Sequence, residues 1–175
     1  MSLLTAWLCF GLLVATLGLG PWQALRTAQP LINNLLRRDL GIWAALTGLA
    51  HLVVATAEVM QPAYFSTYFT VSPGAPLTGW AGWIGRSSIV GGYVVGLIFL
   101  VLLGLSNNLS LRRLGSGRWK RLQGLSSVAF LLTVAHGAVF QLIEGRTGVW
   151  LATLVVMSIA ILALRRRARR AIAAG

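Results

Sequence analysis

LGIWAALTGLAHLVVATAEVM, residues 40–60, is a mostly apolar stretch with one histidine, His51, near its middle and one acid, Glu58, near its end. About 20 apolar residues suffice to cross the hydrocarbon core of a bilayer, so this stretch reads as a transmembrane helix. An ionisable side chain at that depth is costly and is a functional candidate by default. The chain has one other histidine, His136, and it too lies inside an apolar run.

Outward from this stretch, four more runs have the length and composition of spans: 3–19, 88–105, 122–143 and 149–164. The sequence therefore predicts an all-α polytopic membrane bundle of five helices. The composition agrees, with 57% hydrophobic and 10% charged residues, against about 25% charged in soluble domains. Mean hydropathy is +0.77. Residues 1–175 read as a single transmembrane domain with a basic tail over 165–175, so any nucleotide- or flavin-binding reductase module belongs to another polypeptide. The single Cys9 excludes an intrachain disulfide.

A net charge of +12 is strongly basic, yet its placement speaks against nucleic acid. Arg26, Arg37 and Arg38 lie between the first two spans, and Arg112, Arg113, Arg118, Lys120 and Arg121 between the third and fourth. Arg165, Arg166, Arg167, Arg169 and Arg170 follow the fifth. Arg86 and Arg146 fall on the alternate side. The positive-inside rule then puts the N-terminus outside and the C-terminus inside, with the basic loops toward cytoplasm and anionic lipid. A bacterial inner membrane is the expected location. The connection over 61–85 lies outside and carries Tyr64, Phe65, Tyr68, Phe69, Trp80 and Trp83. It reads as an aromatic belt or as a cap over a site.

At a rise of about 1.5 Å per residue, His51 lies roughly 13 Å and His136 roughly 10 Å from the outer ends of their spans. Both spans run in the same direction, so the two imidazoles share one layer. Neutral imidazole is a good ligand for heme iron, and two axial nitrogens make a six-coordinate electron-transfer center. Ala44, Thr47, Gly48 and Ala55 share a helical face with His51. Ser88, Gly92 and Gly96 form a small-residue stripe at four-residue spacing, which permits close approach of a helix or a ring. Arg86 and Arg146 are outer basic candidates for heme propionates. Glu58 reads as an outer-surface group, Met60 as a weak axial alternative. Zinc lacks an obvious third ligand in the layer. Plain packing is the competing reading for the histidines and for the stripe.

Two segments resemble the ferric reductase-like transmembrane domain family. Arg37-Arg38-Asp39-Leu40-Gly41-Ile42, then Ala45-Leu46 and Leu49-Ala50-His51, is similar to its "RRxLGL…ALLH" helix entry. Arg112-Arg113-Leu114-Gly115 followed by Arg118-Trp119-Lys120-Arg121-Leu122 resembles its "RRLGxxWKRLH" loop, with His136 downstream. Within the family the pattern is nearest to the heme-binding membrane subunits of periplasmic methionine sulfoxide reductases. The resemblance covers roughly residues 35–140. It implies metal ligation by His51 and His136. Where the family reads histidine after "WKRL", this chain has Gln123, and span two has no histidine near its inner end. One heme b is therefore expected, with the inner site lost.

These features predict a membrane cytochrome b, an electron-transfer subunit of an oxidoreductase. It would take electrons from quinol, or from a flavin or partner reductase, and pass them to an outer-side acceptor. The heme-binding residues expected are His51, His136, Gly92, Gly96, Gly48 and Arg86, with lipid, quinol and a periplasmic or membrane redox partner as contacts. A bound quinone or flavin would bridge the inner gap. A non-redox membrane subunit and a heme-binding sensor or scaffold are the alternatives.

Overall fold

The computed structural model describes residues 2–27, 34–69 and 79–174, and these are helical almost throughout, with no strand among them. Helix α1 covers Ser2–Thr27, α2 Asn34–Val59, α3 Pro62–Phe69, α4 Gly79–Leu105, α5 Asn108–Gln123, α6 Leu125–Ile143 and α7 Val149–Ala174. Five segments are long and apolar enough to span a bilayer: Ser2–Arg26, Leu35–Val59, Gly79–Leu105, Asn108–Ile143 and Val149–Ala173. The molecule is an integral membrane protein of five spans.

The helices overrun the predicted spans because apolar content marks the hydrocarbon core, not the helix ends. α1 passes through Pro21 to Thr27. α7 absorbs the predicted basic tail as far as Ala174. The predicted outer connection over 61–85 contains α3 and the first turns of α4, while its stretch 70–78 lies outside the described residues. Pro62 opens α3, where a missing N–H costs nothing. The basic connection between the third and fourth spans is helical as well. Asn107 caps α5 by accepting from the Ser110 N–H at 2.8 Å. Gly115, at φ 72°, breaks its regularity with a left-handed residue. The Trp119 indole N–H donates to the Leu105 carbonyl at 2.8 Å and ties α5 to the end of α4.

Helices α1, α2, α4 and α6 form a ring in which each packs on its two neighbors, and α7 fills the outer groove between α1 and α6. The ring closes on Phe10, Leu13 and Leu17 of α1, Ala44 and Ala45 of α2, Phe99 of α4 and Phe130 of α6. Phe130 is fully buried and stacks on Phe10 at 6.2 Å. Leu4, Val53, Val90, Leu97, Leu131 and Val156 point outward and are exposed. A soluble protein would bury such side chains, whereas here lipid covers them. Helices α2 and α6 occupy opposite corners of the ring, so side chains from them meet only in its interior.

Candidate functional site: two imidazoles across the bundle

His51 reaches inward from α2 and His136 from α6. Their ring centroids are 6.4 Å apart, with planes at 80°. Each imidazole is held through Nδ1. His51 Nδ1 lies 3.0 Å from the Ser2 carbonyl oxygen, and His136 Nδ1 lies 2.7 Å from the Ser88 carbonyl oxygen. A carbonyl only accepts, so Nδ1 carries the proton in both rings, and the neutral imidazole keeps its lone pair on Nε2. Hydroxyls complete each anchor. Thr5 Oγ1 is 3.3 Å from His51 Nδ1 and donates to the Ser2 carbonyl. Ser88 Oγ is 3.3 Å from His136 Nδ1. Fixing one ring nitrogen so that the other is free to bind is how proteins orient metal-ligating histidines.

Both rings line a cavity of about 170 Å³ that lies within the ring of helices and opens to the outside. At about 30 Å³ per water this has room for about half a dozen waters, more than a single ion needs. Its wall includes Gly92, and a Cβ there would stand 2.8 Å from His136 Cε1, so only glycine lets this ring lie against α4. Gly48 and Gly96 also reach the wall, but their open sides are taken. A Cβ on Gly48 would meet Phe99 Cε2 at 2.3 Å, and one on Gly96 would meet Leu52 Cδ2 at 2.6 Å. These two glycines serve helix packing between α2 and α4, not an open slot beside His51. Two buried polar atoms in the wall lack a hydrogen-bond partner, Thr133 Oγ1 and Gln141 Oε1. Gln141 is 6% exposed, and a water or polar group in the cavity would supply its acceptor with a donor.

One end of the cavity is polar. Glu58, Tyr93, Glu144 and Arg146 line it, together with Tyr64 from α3. Glu58 accepts from the Ser2 hydroxyl and so belongs to this rim, not to a free outer surface. Tyr64 donates to Glu144, which also pairs with Arg146. Of Arg86 and Arg146, Arg146 borders the cavity. Arg86 is turned to the Tyr68 carbonyl at 3.1 Å and is not part of the wall. Met60 is exposed and is not part of it either. From His136 the aromatic packing continues outward through Phe140 at 4.9 Å to Tyr68 at 6.0 Å and Tyr64 at 5.3 Å. The anchoring carbonyls, Thr5, Gln141 and the Tyr64–Glu144 contact have no signal in the sequence, because each depends on which helices become neighbors.

Burial, then the Glu144 carboxylate, holds the Tyr64 hydroxyl above the ordinary tyrosine range. A group whose folded value is raised keeps its stabilisation below the unfolded value, about 10, and loses it only as pH climbs through the folded one. The Tyr64–Glu144 contact is thus intact across neutral pH. Tyr64→Phe is expected to loosen α3 by about 1 kcal/mol. Hydrogen exchange should speed up in Pro62–Phe69 and stay unchanged in α6; equal rates in α3 would show that the contact contributes nothing.

No protein family, curated protein or solved structure matches the chain. The functional reading therefore rests on the residues themselves. Two lone pairs each about 2 Å from one metal put imidazole centroids about 6 Å apart, close to the observed 6.4 Å. Among the described residues no three His, Cys, Asp or Glu side chains gather to hold a bare metal ion. Two imidazoles by themselves leave the tetrahedral set of a bare ion incomplete.

Proposed function

We propose that this protein is a b-type membrane cytochrome that binds one heme between His51 and His136 and relays electrons toward the histidine end of the bundle. The observation that carries this reading is the pair of imidazoles with centroids 6.4 Å apart and both Nδ1 atoms tied to backbone carbonyls. When bound between two neutral imidazoles, heme iron supplies a one-electron redox center. The chain's own residues hold and shield it. Ser2 and Ser88 fix the tautomers, Gly92 admits the His136 ring, and Arg146 is the cation available to a propionate. The resemblance to ferric reductase-like domains, with Gln123 in place of a second ligand, supports one heme and not two.

The positive-inside rule assigns the basic end to the cytoplasm and the histidine layer to the outer half of the membrane. His51 lies 17 residues from Asn34, the first residue of α2, or roughly 25 Å from the basic end. Direct transfer from a cytosolic flavin across that span is unfavorable, so quinol within the membrane, or a flavin or quinone bound along the way, is the proposed donor. The acceptor is proposed to be a periplasmic or membrane redox partner, in a bacterial inner membrane.

A reduced-minus-oxidised absorption spectrum of the purified protein, with heme quantified per chain, tests the reading. One heme per chain with a low-spin b-type spectrum is expected. Zero or two hemes per chain sinks it. The packing at Gly48 and Gly96 favors a second reading, a non-redox membrane subunit in which the histidines only join helices. A preparation that stays colorless after heme is supplied selects that one.

A further inference from the structure

The two histidine anchors are built differently. Ser88, which holds His136, is buried within α4, and its hydroxyl turns to His136 Nδ1 at 3.3 Å and to the His136 carbonyl at 3.4 Å. That anchor is made of neutral groups. Ser2, which holds His51, opens α1, so its N–H has no carbonyl of its own helix to reach. Glu58 of α2 supplies the acceptor. One carboxylate oxygen takes the Ser2 N–H at 3.4 Å, and the other takes the Ser2 hydroxyl. A helix N-terminus favors a carboxylate beside it.

Glu58 follows His51 on the same face of α2, two turns further along the helix. Ser2 is thus clamped by one helix at two points. Glu58 holds its N–H and hydroxyl, and His51 Nδ1 lies 3.0 Å from its carbonyl oxygen. Thr5, one turn on, donates to the same carbonyl at 2.9 Å. Many metal-binding histidines hand Nδ1–H straight to a carboxylate. Here a backbone carbonyl stands between the two, and the carboxylate governs where it points. The chain has three acidic side chains. Asp39 pairs with Arg38, and Glu144 pairs with Arg146.

We propose that Glu58 is the positioning residue for His51: by clamping Ser2 it aims the carbonyl that fixes the imidazole, and it sets a negative charge behind that ring and not behind His136. The orientation of His51 by Glu58 requires no cofactor. Its redox consequence rests on the heme reading. A carboxylate behind an axial imidazole favors the ferric over the ferrous form, because ferric iron carries one more positive charge.

The chain has two histidines, so nuclear magnetic resonance of isotopically labeled ring nitrogens gives one set of signals for each. The test uses the full chain in detergent without heme. Glu58→Gln keeps the size and an acceptor but drops the charge. It should shift the His51 Nδ1–H signal and leave that of His136 in place. Glu58→Asp should restore part of the shift. Ser2→Ala cuts only the hydroxyl link and should move the His51 signal by less. Glu144→Gln removes a charge from the same cavity wall and should leave His51 where it was. An unmoved His51 signal in E58Q overturns the proposal, as does equal movement of His51 in E58Q and E144Q. If E58Q is not monodisperse, Ser2→Ala carries the test, and an unmoved His51 signal there overturns it. Protein loaded with heme adds a potential. E58Q should favor the ferrous form by about tenfold, the low end for losing a group that orients a ligand, which is a rise of about 59 mV. An unchanged potential overturns the electrostatic half. Wild-type protein that takes up no heme defeats the heme reading and leaves the His51 signal to decide this one.

Discussion

His136→Ala is expected to purify without stoichiometric heme, and His51→Ala likewise. Each removes one of the two imidazoles whose centroids lie 6.4 Å apart in the ring interior, and the described residues offer no replacement: no third His, Cys, Asp or Glu joins the pair. The remaining imidazole stays correctly oriented, because its Nδ1 anchor is on a different helix from the deleted ring. Ser2 of α1 holds His51, and Ser88 of α4 holds His136. A truncated site of this kind is open to chemical rescue. Imidazole added to either variant during heme reconstitution should restore a low-spin spectrum, and it should fail in the double variant. Weakening an anchor should cost less than deleting a ligand. Losing a group that orients a metal ligand typically costs about 10–100-fold in affinity, and Ser88→Ala removes the hydroxyl contacts to His136 Nδ1 at 3.3 Å and to its carbonyl at 3.4 Å but keeps the 2.7 Å contact of Nδ1 with the Ser88 carbonyl, so the low end applies. Absorption spectra and heme content after reconstitution read all four variants. If both single variants keep a full heme complement, the histidine pair is not the site, and the packing reading stands.

The reason these two residues were legible in the sequence, and their surroundings were not, is physical. A histidine in lipid stands out against its neighbors regardless of the fold, and the helical rise alone gives its depth. The five spans were legible for the same reason: the hydrocarbon core imposes a length and a composition that no tertiary contact can override. The rest depends on neighbors. Whether Gly48 and Gly96 open a slot or receive a side chain is decided by α4 and α2 facing each other, which brings Phe99 and Leu52 onto them. Arg86 and Arg146 look equivalent as outer cations, yet α3 offers Arg86 a carbonyl while Arg146 turns to Glu144 at the cavity. Helices α3 and α5 left no apolar signature because they are short or polar. α5 is rich in arginine and is set by the Asn107 cap and the Trp119 anchor, local devices that hydropathy does not register.

Gly48 separates the two readings of the small-residue face. Gly48→Ala is expected to destabilise the bundle by about 2–3 kcal/mol, in the range for overpacking a core. The added methyl would overlap Phe99 Cε2 at 2.3 Å and approach Cys9 Sγ at 3.0 Å. Phe99 is 2% exposed and part of the common core, so it has little room to swing aside. Gly11→Ala, where nothing lies within 4 Å of the new carbon, is the matched control and should be nearly neutral. Phe99→Leu alone opens a small void, which costs about 1 kcal/mol. Combined with Gly48→Ala it should recover much of the loss, because the two changes compensate at one contact and such neighbors do not add. Thermal unfolding in detergent, followed by circular dichroism, gives the four values of the cycle. Heme content measured alongside adds the decisive contrast. If Gly48 serves helix packing, stability falls and heme loading falls only as the fold loosens. If instead Phe99 rotates away when the cavity fills, Gly48→Ala is tolerated by the fold but excludes the ring, so heme binding falls in a protein of undiminished stability. In that case the space beside His51 is a slot after all, held shut by Phe99 until the cofactor enters.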